Sequence, residues 1–274
     1  RLLDKGHGLL TLEDLGMEEN ERAVLEGLIR RPHGMILFTG PTGSGKSTSL
    51  YAILQALARP EVNIITVEDP VEYALPGVAQ IQVNEKAGVT FASALRSILR
   101  QDPDIVMIGE MRDFETAHIG VQASLTGHLV LSTLHTNDSI GAIVRLVDMG
   151  IEPYLAASCM IGTVAQRLAR RLCPHCRHEV EPPALMARQG VERAWAPTGC
   201  PECHGTGYRG RIGLYEQFVV DEAVQEAFVN GASASKLREV ARGNGFRTLW
   251  EIGLSAVAQG KTSPEELVRV AGED

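Results

Sequence analysis

Residues 40–47 read GPTGSGKS, preceded by the apolar run MILF at 35–38 and followed by a helical pattern over 47–58. Strand, glycine-rich turn and helix is the context in which such a loop binds phosphate. The glycines at 40, 43 and 45 let backbone amides converge on phosphate oxygens, and the helix presents its positive end to the anion. In that reading Lys46 contacts the β- and γ-phosphates of ATP and Ser47 ligates Mg²⁺. The candidate nucleotide-binding residues are Gly40, Pro41, Thr42, Gly43, Ser44, Gly45, Lys46, Ser47 and Thr48.

Outward from this loop, short β-rich runs at 35–38, 63–67, 104–108 and 128–132 alternate with helical stretches at 47–58, 91–101 and 114–125. Each strand candidate is too apolar to alternate, which suits strands buried on both faces of a parallel sheet. The expected fold class is α/β, a RecA-like nucleotide-binding core of three layers. Residues 153–172 read as a helix leading into a stretch rich in Cys, Pro, Gly and His at 173–210. A strand-like run at 212–220 and helical stretches at 221–230, 235–243 and 249–259 follow. The expected domains are therefore 1–30 as a linker, 31–172 as the core, 173–210 as a metal module, and 211–274 as a C-terminal strand and helical module.

At 274 residues the chain is long enough for a substantial core, and its 44% hydrophobic and 22% charged content is ordinary globular usage. The net charge of −8 disfavours broad attraction to nucleic acid or an anionic membrane. No nucleic-acid partner is expected. No run approaches the roughly 20 apolar residues needed to span a bilayer, and RLLDKGHGLL at the start lacks the features of a secretory signal. The chain reads as cytosolic.

A phosphate loop that hydrolyses its nucleotide needs carboxylates to hold the metal and to orient or deprotonate water. ITVEDPVE places Glu68, Asp69 and Glu72 after one strand, and DPDIVMIGEMRD places Glu110 and Asp113 after another. Strand carboxyl ends face the ligand crevice in open α/β sheets. Glu72 and Glu110 are the catalytic candidates. TGHLVLSTLHTND adds His128 and His135 at either end of a strand, with His135 placed to sense the γ-phosphate or a neighbouring subunit. Arg96, Arg100 and Arg112 are candidates to neutralise developing phosphate charge. The plainer alternative for Arg96 and Arg100 is one solvated helix face, or ion pairs with Asp102 and Asp104.

Five cysteines include two CxxC pairs, Cys173/Cys176 and Cys200/Cys203. In a cytosolic chain four thiolates so spaced suit structural Zn²⁺. His175, His178 and His204 lie nearby as competing ligands, and Cys159, in an apolar run, reads as a buried small hydrophobe.

Together these motifs resemble the type II secretion ATPases and their relatives, the type IV pilus assembly and retraction motors. GPTGSGKST is similar to that family's Walker A, ITVEDPVE to its aspartate box, RQDPDIVMIGEMRD to its atypical Walker B, and TGHLVLSTLHTND to its histidine box. CPHC with GCPECHGTGYRGRIGLYE resembles its zinc module. As in that family, the position before the Walker B glutamate lacks a carboxylate and holds Gly109, while Met111 replaces a common Ile. The resemblance implies a hexameric ATPase on the cytoplasmic face of the bacterial inner membrane, bound to secretion platform proteins and driving a pseudopilus. It also implies that Glu110 belongs to the Mg²⁺ and water network, and that Glu72 is the general base. Family members carry domains before a run like RLLDK; Arg1 is then a candidate nucleotide-contacting arginine separated from its domain, and the chain alone is expected to associate weakly. The rival readings are a pilus-extension motor, a nucleic-acid translocase and a nucleotide-binding scaffold of low activity.

Overall fold

GMILFT at Gly34–Thr39 forms strand β1, and all six residues are buried, as an apolar run without alternation requires. The structure, a computed structural model, describes residues 10–272; Arg1 lies outside them. Helix α1, Glu19–Ile29, precedes β1, and α2, Lys46–Leu57, follows it. Next come β2 (Ile64–Glu68), β3 (Val78–Gln82), α3 (Phe91–Ile98), β4 (Ile105–Ile108), α4 (Phe114–Leu125) and β5 (Leu129–Leu134). Then follow α5 (Ser139–Asp148), α6 (Pro153–Cys159), β6 (Met160–Leu172), β7 (Arg177–Val180), α7 (Ala184–Ala187) and β8 (Ala194–Pro197). The chain closes with β9 (Tyr208–Val219), α8 (Glu222–Val229), α9 (Ala234–Arg242), α10 (Leu249–Ala258) and α11 (Pro264–Ala271). Side-chain caps set several helix starts: Asp113, Asp138, Asp221 and Ser263 each accept from a backbone N–H of the first turn.

The main sheet runs β3-β2-β4-β5-β1-β6-β9. The pairs β2 with β3, β2 with β4, β4 with β5, β5 with β1, and β1 with β6 are parallel. This is the expected α/β core, with β1 inside the sheet. The helix expected over 153–172 is only its first third. Pro153 opens a seven-residue helix, but from Met160 the chain is extended and pairs with β1 from Met35↔Met160 to Thr39↔Ala165. The leucines and arginines of 167–172 suit a helix. Yet Met160–Gln166 is buried throughout, and β-branched Ile161, Thr163 and Val164 fit a strand beside β1 better than a helix turned to one face. At Gly162 a Cβ would meet the Leu28 side chain at 2.8 Å, so α1 packs directly on this strand.

Two compact units do not follow chain order. The first holds the described residues up to Thr42, then Lys46–Ala165 and Gln217–Phe246. Its core joins Met35, Leu37, Val67, Ile108, Val130 and Met160 with Phe218, Val224, Leu237 and Phe246, so α8 and α9 belong with the nucleotide core. The second holds Gly43–Gly45, Gln166–Glu216 and the described residues from Arg247 on. There β7 and β8 pair antiparallel, and Arg177 stacks on Trp195 at 4.9 Å from the ring centroid. Glu266 on α11, fully buried, accepts from Arg170 Nε and the Arg170 backbone N–H at 2.9 and 2.8 Å, and from Arg269 Nε at 2.9 Å.

Candidate functional site

The turn from β1 into α2 depends on glycine. Gly43 and Gly45 stand at φ +81° and +93°, left-handed backbone that side chains resist. A Cβ on Gly45 would also approach the Gln166 amide nitrogen to 2.7 Å. Lys46, 8% exposed, donates from Nζ to the carbonyls of Gly40 at 2.7 Å and Pro41 at 3.1 Å, which holds its charge against the loop. Ser44 Oγ is buried with no hydrogen-bond partner among the described residues, the kind of polar atom that a phosphate oxygen or its water satisfies. Ser47 and Thr48 are exposed at the start of α2, and Ser47 is the hydroxyl that would hold Mg²⁺.

Register brings the other motifs to the same edge. β1 pairs with β5 up to Thr39↔Leu134, β4 with β5 up to Ile108↔Ser132, and β2 with β4 up to Val67↔Ile108. Parallel strands so aligned end together, so the segments after β1, β2, β4 and β5 share one side of the sheet. These segments carry the phosphate loop, Glu72, Glu110 and His135. Thr39 ties two of them: its Oγ1 accepts the Thr136 N–H at 2.8 Å.

Glu110 stands between two cations or potential cations. Arg112 Nη2 is 2.5 Å from one carboxylate oxygen and His135 Nε2 is 3.8 Å from the other. The Glu110 side chain is 14% exposed, against 52% for His135 and 71% for Arg112, so the carboxylate is the fixed member and its partners reach in from solvent. Its loop is held by Thr133 Oγ1, which donates to the Gly109 carbonyl at 2.8 Å, and by the Met111 N–H, which donates to the Thr133 carbonyl at 3.1 Å. Gly109 has a packing reason to lack the carboxylate usual there: a Cβ would lie 3.3 Å from Glu68 Cα and from the Val67 carbonyl oxygen. Met111 is buried. Glu72 is half-buried, and its backbone N–H donates to the Tyr51 hydroxyl at 3.1 Å.

The remaining sequence candidates separate. His128 precedes β5 at the end remote from the loop and turns Nδ1 to the Ala123 carbonyl at 2.9 Å. Arg96 pairs with Glu115 on α4, not with Asp102 or Asp104. Arg100 lies in the turn after α3, so the two arginines do not share a continuous helix face, and both are exposed. Two groups without a sequence signal join the edge: Tyr51 and Arg238. Arg238 Nη2 reaches Asp138 Oδ2 at 2.7 Å from a helix 100 residues later, a pairing that no spacing rule foretells.

In the second unit the sulfurs of Cys173, Cys176, Cys200 and Cys203 all lie within 4.8 Å of one another. Cys173 to Cys200 and Cys176 to Cys203 are 3.8 Å, and Cys200 to Cys203 is 3.7 Å. Tetrahedral Zn–S bonds of about 2.3 Å place sulfurs about 3.8 Å apart, so the cluster fits zinc. Burial opposes ionisation of Cys203, but N–H groups of Cys200 and Gly207 donating to its sulfur at 3.2 and 3.1 Å hold the thiol down at about 6. The three nearby histidines are outside the cluster, and His178 Nδ1 is 2.9 Å from Thr198 Oγ1. Cys159 is buried, which pushes its thiol up to about 12, as suits an inert core residue.

Comparison with known proteins agrees with this architecture. Residues 1–269 match the family described as Type II/IV secretion system protein. The chain is 56% identical over 270 residues to type II secretion system protein HxcR of Pseudomonas aeruginosa, covering 98% of this chain and 55% of that protein. It is 50% identical to type II secretion system ATPase E of Vibrio cholerae, covering 100% of this chain and 55% of that protein. This chain thus spans about half the length of these relatives. Among solved structures, the pilus retraction motor PilT with bound ADP is similar at a TM-score of 0.74 and 30% identity, over 98% of this chain and 68% of that one. The chain belongs to the type II/IV secretion system protein family.

Proposed function

We propose that this chain is the ATP-hydrolysing part of a type II secretion motor, which converts hydrolysis into pseudopilus assembly and protein export. The observation that carries the reading is the meeting of four motif segments at the carboxyl edge of one parallel sheet, in a member of this family. Lys46 and the 40–48 backbone bind the phosphates. Ser47, with water held by Glu110, would hold Mg²⁺, which neutralises phosphate charge when bound. Glu72 accepts the proton of the attacking water as the new P–O bond forms and ADP leaves. His135 and Arg112, which reach toward Glu110 from solvent, respond to the γ-phosphate, with Arg96 and Arg100 the remaining candidates for contacts across a subunit boundary. Zinc on the four cysteines orders residues 173–203.

The motor acts as a homo-oligomer, a hexamer in the longer protein, bound to inner-membrane platform proteins on the cytoplasmic side. Among the described residues no helix is long and apolar enough to cross a membrane, so attachment through partners fits. Replacing Lys46 by Ala tests the enzyme reading: the fold should persist and hydrolysis should vanish, and near-normal turnover would reject it. Complementation of a secretion-deficient strain, compared with a strain lacking pilus extension, tests the load. Rescue of pili alone would move the assignment to the pilus branch.

A further inference from the structure

Glu68 closes β2 four residues before Glu72 and is 4% exposed. Three neutral side chains donate to its carboxylate. Thr66 Oγ1 and Gln80 Nε2 reach Oε1 at 2.5 and 3.1 Å, and the Tyr51 hydroxyl reaches Oε2. Tyr51 lies on α2, five residues after Lys46, and is 3% exposed. Burial, then the hydrogen bond to Glu68, push its phenol above the ordinary tyrosine range, so it keeps its proton. With its O–H donated in the hydrogen bond to Glu68, the phenol oxygen acts as an acceptor, and it takes the backbone N–H of Glu72 at 3.1 Å.

Gln80 on β3 works in the same way. Its Nε2 also donates to the Tyr73 carbonyl at 3.0 Å, and its Oε1 accepts the Leu75 N–H at 2.7 Å. Three backbone groups within residues 72–75 are thereby tied, through two side chains, to one buried carboxylate. That carboxylate is connected by Tyr51 to the helix that opens with Lys46. A glutamate at the carboxyl end of a parallel strand is a natural metal ligand or base, but this one is shut from solvent and both oxygens are already engaged.

We propose that Glu68 is an anchor and not a reacting group: through Tyr51 and Gln80 it fixes the 72–75 backbone against α2, and so sets where the Glu72 carboxylate stands relative to the phosphate loop. Tyr51 and Gln80 are then positioning residues for the hydrolysis step. The inference rests on the reading of Glu72 as the base. A displacement near 1 Å at such a group costs up to about 10²-fold in rate, so the loss of one of these ties should be visible in turnover.

Tyr51→Phe keeps the ring and its edge contact with Tyr73, whose centroid is 6.2 Å away, and removes both hydrogen bonds. Single-turnover ATP hydrolysis, affinity for a fluorescent ATP analogue, and amide exchange over residues 72–75 are measured for the parent chain, Tyr51→Phe, Glu72→Gln and the double variant. Tyr51→Phe is expected to bind nucleotide within about 2-fold of the parent and to hydrolyse it about 10- to 100-fold more slowly. It should exchange the Glu72 amide faster, and cost no further rate when Glu72 is already Gln. Gln80→Met should loosen the Leu75 amide with the same split between rate and affinity.

Parent-like turnover in Tyr51→Phe overturns the proposal. So does an equal rate loss in the Glu72→Gln background, or a parallel loss of nucleotide affinity, which marks a merely structural role. If Glu72→Gln itself hydrolyses at the parent rate, the base assignment has failed and the positioning role falls with it. If Glu72→Gln is slow while Tyr51→Phe is not, the positioning role alone is refuted.

Discussion

Replacing Glu266 by Gln removes the charge from a fully buried carboxylate that two arginines share. Burial by itself raises the pKa of Glu266. Hydrogen bonds from Arg269 and Arg170 more than reverse this and hold it at about 2, against an ordinary 4.5. At about 1.4 kcal/mol per unit this corresponds to roughly 3 kcal/mol. Arg170 and Arg269 are 50% and 58% exposed, and solvent screening lowers the figure to about 2 kcal/mol. The folded pKa lies below the unfolded one, so the contribution is complete above about pH 4.5 and is lost as pH falls through about 2. Both tryptophans, Trp195 and Trp250, belong to the same unit as Glu266, so urea unfolding followed by tryptophan fluorescence reports on the right region. The parent should exceed the variant by about 2 kcal/mol at pH 7, and the gap should close as pH falls below about 4.5. Release of zinc in acid is common to both proteins and cancels in the difference. A gap under about 0.5 kcal/mol at pH 7, or one independent of pH, would refute the account of this carboxylate.

Glu72→Gln and Glu110→Gln should each bind ATP and lose most turnover, with the larger loss, about 10²- to 10⁴-fold, at Glu72; normal hydrolysis by Glu72→Gln with loss at Glu110→Gln would move the base to Glu110. Metal analysis should find about one zinc per chain, as one four-thiolate site requires. Cys173→Ser should expose residues 173–203 to protease while ATP binding persists. His128→Ala should leave single-turnover rates within about 2-fold of the parent, because the ring lies at the far end of β5, whereas His135→Ala should slow them about tenfold or more through the loss of a Glu110 neighbour.

The core was legible because its strands are buried on both faces: apolar runs such as IITV and IVMI admit few other readings, and a phosphate loop fixes which end of the sheet carries chemistry. The acidic segments follow from that polarity, since Glu72 and Glu110 come within four residues of the ends of β2 and β4. β6 reads as a helix because its sequence carries two signals. Its second half, ARRL, has good helix formers, and only the vacancy beside β1 in a finished sheet decides in favour of a strand. β3, Val78–Gln82, was not foreseen either; it is an edge strand of mixed burial whose residues lack a clean apolar run. Arg96 and Arg100 were grouped by helical spacing, but α3 ends at Ile98 and the grouping ends with it.

Side-chain hubs are harder still to read, because their members are chosen by distance in space. Tyr51, Glu68, Thr66 and Gln80 lie on one helix and two strands, and each residue alone has an ordinary explanation. The same packing accounts for the odd Walker B. The Gly109 N–H donates to the Val67 carbonyl at 2.8 Å, and a side chain at 109 would press on the backbone of Glu68. An acid placed there would crowd the residue around which the 72–75 backbone is arranged. The carboxylates proposed for the reaction come instead from the next position, Glu110, and from the neighbouring segment, Glu72. The absence of an acid at 109 therefore follows from how closely β2 and β4 meet at their carboxyl ends, while the carboxylate of Glu68 is enclosed from the other side by Tyr51, Thr66 and Gln80.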